Sequence, residues 1–237
     1  MNFEYDCNKE KCWFKAVCKY SDKSYCKEHL CPLHHKMSYL CYYSLLSEKD
    51  KYPISLIPDA DGTDLDKFIQ LKEIQKNIFN FVNKGQNLLL YSANTGNGKT
   101  AWAKKLLLSY LNSIVLTSDY IPRCLFISVP KFLNELKENI NKPSDYITYI
   151  KENINTVDLI IWDEIGVKNL SPWEHDLLFS YINNRIENGK SNIYTSNLVP
   201  EQLKQILGDR IYSRIIQLST LIQFNGKDKR ALMKGDN

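Results

Sequence analysis

The sequence predicts an α/β protein built on a parallel sheet, preceded by a small cysteine-rich segment. Three stretches carry this prediction. In "NLLLYSANTGNGKTAWAKKLLLSYL" (Asn87–Leu111) a short apolar run leads through a glycine-bearing loop into apolar residues at helical spacing. "VDLIIWDEIG" (Val157–Gly166) holds a near-continuous apolar run, as a parallel strand covered on both faces requires, and ends in two acids. Six of the seven cysteines and three of the four histidines fall before residue 42, which marks a separate module.

Composition bounds the classes. At 237 residues the chain holds one sizeable domain plus a small appendage. With 43% hydrophobic and 24% charged residues it reads as globular, and no apolar stretch is long enough to span a bilayer. The N-terminus "MNFEYDCNKEKC" lacks the apolar run of a signal peptide, so a reducing cytoplasm is expected. A net charge of +4 is too small to demand a nucleic-acid partner.

Residues 1–46 form the head, with the spacing Cys7-x4-Cys12-x5-Cys18-x7-Cys26-x2-His29-x1-Cys31. A segment this short makes a poor core without a staple, and the cytoplasm disfavours disulfides. A metal is therefore expected, with zinc held by Cys12, Cys18, Cys26 and Cys31; His29 and Cys7 are the first substitutes, and an iron–sulfur cluster is the alternative. Helical spacing in "YLCYYSLL" gives a packing surface in which Cys41 serves as a small hydrophobe. Residues 47–65, rich in acids with two prolines and a glycine, read as a linker skirting the domain of residues 66–237.

In that domain "SANTGNGKT" lies between strand and helix, where backbone N–H groups and a helix N-terminus cradle phosphates. Asn94, Thr95, Gly96, Asn97, Gly98, Lys99 and Thr100 are the expected nucleotide contacts: Lys99 reaches the terminal phosphates and Thr100 ligates Mg2+. Without ligand the Lys99 ammonium is expected to face solvent. Ala93 replaces the usual first glycine at little cost if its backbone angles are ordinary, whereas Gly96 and Gly98 must turn the chain. Asp163 would hold Mg2+ through water, and Glu164 would polarise the attacking water. Further on, Ser171, Pro172, Glu174 and Gly189 bound a helix whose Trp173, Leu177, Tyr181 and Ile182 are expected to face the core. "SNIYTSN" is another strand, with Asn197 at its end as the polar residue expected near the terminal phosphate. The stretch "NKPSD" is one residue too long for the guanine signature, so adenine is favoured.

Together "GNGKT", "LIIWDEIG", "SNIYTSN" and "LGDRIYSRI" resemble AAA+ ATPases of the DnaC/DnaI replicative helicase-loader type, especially phage-encoded members, over residues 66–237. Related IstB-type ATPases use the same core to regulate transposition. The resemblance implies a P-loop AAA+ core with a five-stranded parallel sheet flanked by helices, and ATP with Mg2+ as cofactors. It implies Asn197 as sensor 1, Arg214 as the arginine that reaches a neighbouring subunit's nucleotide, and Arg230 as sensor 2. It further implies a homo-oligomer acting on single-stranded DNA and a replicative helicase, with no membrane partner; loaders of the DnaI kind carry an N-terminal zinc module that contacts the helicase. A nucleotide-binding switch that hydrolyses almost nothing is the non-enzymatic alternative.

Overall fold

Parallel strands need a crossover between them, and this chain supplies helices for it. The computed structural model describes residues 12–16, 18, 31–138, 142–167 and 169–229. Its strands are β1 (Asn87–Tyr91), β2 (Cys124–Ser128), β3 (Leu159–Asp163), β4 (Ser191–Ser196) and β5 (Ser219–Gln223). They lie side by side in the order β2-β3-β4-β1-β5, all parallel, as the resemblance implies. The helices are α1 (Pro32–Tyr43), α2 (Leu65–Lys76), α3 (Ile78–Asn83), α4 (Lys99–Ile114), α5 (Val129–Glu138), α6 (Asp145–Asn153), α7 (Pro172–Glu187) and α8 (Pro200–Gln217).

Alternation along each strand divides the core in two. Leu88, Leu90, Ile161 and Ile193 pack with residues of α1 to α4, whereas Leu89, Ile160, Trp162 and Tyr194 pack with residues of α5 to α8. All eight of these strand residues are fully buried, each worth about 1.5–3 kcal/mol on transfer from water, which explains the apolar runs in the sequence.

Helix α1 belongs to the same body. Its Met37, Leu40 and Cys41 enter the core shared with α4, and beyond its end Ser44 O accepts from Phe126 N at 2.8 Å. Cys41 is the small hydrophobe expected, and burial pushes its thiol up to about 12. Among the described residues no three His, Cys, Asp or Glu side chains gather to hold a metal. Cys12, Cys18 and Cys31 are half-buried; Cys7, Cys26 and His29 lie outside the described residues.

Helix α7 starts on the expected capping box, Ser171 with Glu174, with Pro172 in its first turn. Trp173, however, is 49% exposed and does not face the core. The inward stripe is Glu174, Leu178, Ile182 and Arg185, at helical spacing; its two charged members hide it from a reading by hydrophobicity.

Arg185 closes the amino-terminal end of the sheet. Fully buried, it donates to Ile154 O at 2.7 Å, Val157 O at 3.0 Å, Asp158 O at 3.5 Å, Ser191 O at 2.8 Å and Asn192 Oδ1 at 2.8 Å. The same Asn192 Oδ1 accepts from Trp162 Nε1 at 3.0 Å, and Asn192 Nδ2 donates to Asn87 Oδ1 at 2.9 Å, which ties β3, β4 and β1 together. Burial pulls the Arg185 guanidinium down to about 10, so it remains charged at neutral pH.

Candidate functional site

In an open parallel sheet, ligands bind beyond the carboxyl ends of the strands. At that end β1 runs into the loop Ser92–Gly98, and α4 begins at Lys99. Gly96 and Gly98 have φ of +71° and +99°, the left-handed region that only glycine enters freely. Ala93 is not among the residues with positive φ, so its side chain costs the loop nothing there. Ser92 Oγ accepts from Asn94 N at 3.0 Å and Asn97 Nδ2 at 2.7 Å, which braces the loop from within.

Lys99 departs from expectation. Instead of facing solvent it is only 6% exposed, and its ammonium folds back to donate to Asn94 O at 2.9 Å and Asn97 Oδ1 at 3.0 Å. A buried cation needs acceptors, and the loop provides them. Phosphate oxygens are of the same acceptor class as these two partners.

The structure brings Thr100 and Asp163 together: Thr100 Oγ1 donates to Asp163 Oδ1 at 2.8 Å. Both are hard oxygen donors of the kind Mg2+ takes, and the hydroxyl keeps lone pairs free while donating. Glu164 follows with φ +61°, an uncommon conformation for a non-glycine residue, and its side chain is exposed at the pocket.

Thr195 is the residue that sequence reasoning missed. Its hydroxyl donates to Asp163 Oδ1 at 2.7 Å and accepts from Glu164 N at 3.0 Å. Asn197 lies just past the end of β4 and lines the same pocket; of the β4 side chains it is Thr195 that bonds both Asp163 Oδ1 and Glu164 N. The signal was available only as alternation along the strand, and it became decisive only with the strand order.

The pocket has an apolar side formed by Leu56, Ile57, Pro58, Phe68, Trp102 and Phe224. The linker thus does more than skirt the domain. Asp64 accepts from Asn225 N and Gly226 N, both at 2.8 Å, and Asp59 pairs with Lys229 at 2.6 Å. Lys229 N in turn donates to Gly96 O at 2.9 Å, so the segments on either side of the sheet domain clasp beside the phosphate loop. Arg230 lies outside the described residues.

A family model described as IstB-like ATP binding protein matches residues 61–234. The chain belongs to that family. It is 25% identical over 167 residues to the replicative helicase loader DnaC of Buchnera aphidicola subsp. Schizaphis graminum, a match covering 70% of this chain and 62% of that protein. The chain thus spans less than two thirds of that relative's length. Its fold is similar to the crystal structure of the DnaC helicase loader, with TM-score 0.59 and 21% identity over 72% of this chain and 94% of that one. It is also similar to the replication initiator DnaA bound to AMPPCP and single-stranded DNA, with TM-score 0.53 and 20% identity over 70% of this chain and 47% of that one. With these relatives, the family is the AAA+ one of the DnaC/IstB type.

In this IstB-like chain the α8 arginines differ. Arg210 sits 4.0 Å from the centre of the Phe179 ring and 3.8 Å from Asp176. Arg214 is half-buried and has no hydrogen-bond or ion-pair partner among the described residues. Both follow the kink at Gly208 and so lie on one straight segment. No helix among the described residues is long and apolar enough to cross a membrane.

Proposed function

We propose that the chain binds and hydrolyses ATP as a cytoplasmic DNA-replication accessory protein, most specifically a helicase loader that works as an oligomer on single-stranded DNA and a replicative helicase. The observation that carries the reading is the convergence of Thr100 and Asp163 at 2.8 Å beside a phosphate loop with a sequestered Lys99. Asn94 to Thr100 would hold the phosphates, and the apolar side at Phe68 and Phe224 would take the base. Thr100 and Asp163 would hold Mg2+, which supplies charge neutralisation between the terminal phosphates. Glu164 accepts a proton from water, and Asn197 contacts the terminal phosphate or that water.

Arg214 completes a neighbour's site, which its lack of a partner among the described residues supports. Arg230 acts as the second sensor. Turnover per chain then rises with protein concentration or single-stranded DNA, and Arg214→Ala abolishes that rise while keeping nucleotide affinity. A rate per chain independent of concentration in the parent contradicts action between subunits.

The head, residues 1–46, is a docking module carrying one zinc on Cys12, Cys18, Cys26 and Cys31; cysteine spacing supports this, and metal analysis of the parent and Cys26→Ser tests it. A metal-free, folded head overturns it, and iron in place of zinc redirects it to a cluster. The family description favours a second reading, an IstB-like ATPase regulating transposition. Affinity capture of the full chain from its host separates the two: a replicative helicase supports the first and a transposase the second. Binding of ATP without turnover would leave the switch.

A further inference from the structure

We propose that Thr195 is a positioning residue for hydrolysis: it orients Asp163 and fixes the backbone that presents Glu164. This rests on the ATPase reading. The strand order makes the role available to few residues. Strand β4 lies between β1, which leads into the phosphate loop, and β3, which ends in Asp163. Thr195 is level with Leu90 of β1, and Tyr194, one residue earlier, is level with Trp162 of β3. The last residues of β4 therefore flank both halves of the site.

One hydroxyl performs two tasks there. As donor, Thr195 Oγ1 reaches Asp163 Oδ1 at 2.7 Å, the same oxygen that Thr100 reaches at 2.8 Å. Two donors on Oδ1 fix the carboxylate's rotation, and Oδ2 keeps no hydrogen-bond partner among the described residues. As acceptor, the hydroxyl takes Glu164 N at 3.0 Å. Glu164 adopts φ +61°, a conformation that persists only where the surroundings over-determine it. The backbone of β4 finishes the clamp, because Thr195 O accepts from Ile165 N at 2.9 Å and Ser196 Oγ donates to Ile165 O at 2.8 Å. Thr195 is 2% exposed, so water does not readily substitute for its hydroxyl.

Valine keeps the shape of threonine and loses both hydrogen bonds; serine keeps both bonds. In the full chain, Thr195→Val should lower kcat for Mg2+–ATP by about 10–100-fold, the usual cost of removing a group that orients a metal ligand, while the Kd for ATP measured without metal stays within about threefold. Thr195→Ser should restore kcat to within about threefold of the parent. A readout independent of turnover is amide hydrogen exchange. The Glu164 amide should exchange at least about tenfold faster in Thr195→Val, whereas the Ile165 amide, bonded to the Thr195 carbonyl, keeps its protection. If Thr195→Val proves unstable, the serine variant decides alone: loss of kcat in Thr195→Ser overturns the assignment. A parent that turns over ATP alongside a folded Thr195→Val with parental kcat and parental Glu164 exchange overturns the positioning role and leaves the ATPase reading intact. A parent that turns over no ATP overturns both.

Discussion

At the amino ends of the strands Arg185 is buried among five acceptors, and at their carboxyl ends Lys99 is buried against its own loop. The two cations are similarly hidden, with exposures of 0% and 6%, so burial alone does not tell them apart. Their partners do. Arg185 binds groups that precede β3 and groups at the start of β4, and releasing it means taking the sheet apart. Lys99 donates to atoms two and five residues away in a loop braced by Ser92, and exchanging those two acceptors is a local change. A buried charge held across elements stabilises the fold, whereas one held within a glycine loop beside an open pocket is available to a ligand.

The largest effect expected from this contrast is at Arg185. Arg185→Met strands several buried carbonyl groups and should destabilise the chain by about 3–5 kcal/mol, read from a urea titration against the parent. A parental midpoint would break the comparison. Glu164→Gln should leave the urea midpoint unchanged and ATP affinity within about threefold, yet lower turnover at least about 100-fold by removing the proton acceptor. Unchanged turnover in a rapid-quench assay would remove Glu164 from the chemistry. The smallest effect is at Ala93. Because its φ is not positive, Ala93→Gly should change the Kd for ATP by less than about threefold, measured by titration calorimetry. A tightening of tenfold or more would show that the first-glycine position limits this loop.

Local motifs made the phosphate loop, the acidic pair and the capping box of α7 legible, because each depends on residues within a few positions of one another. Contacts between distant segments were not. Thr195 meets Asp163 across 32 positions, and its part follows from β4 lying between β1 and β3, which the spacing of motifs does not reveal. The clasp of Asp64 on Asn225 spans 161 positions and looks in sequence like two polar connectors. The inner face of α7 is not legible from hydrophobicity, which points to Trp173, because Glu174 and Arg185, both charged, occupy its buried stripe. The burial of Lys99 is not legible either, because an ammonium without phosphate has no obvious acceptor in the sequence, whereas Asn94 O and Asn97 Oδ1 of its own loop accept from it.

Lys99→Ala tests the central claim most directly, with ATP binding and thermal midpoint measured on the same preparation of the full chain. The hydrogen bonds from the ammonium to Asn94 O and Asn97 Oδ1 stay within the loop, so the midpoint should stay within about 2 °C of the parent, the lower end of the roughly 2–4 °C that 1 kcal/mol causes in a domain of this size. ATP affinity should fall at least about 100-fold with loss of the phosphate-directed cation. Parental ATP affinity in a folded Lys99→Ala chain would contradict the assignment of this loop as the nucleotide site.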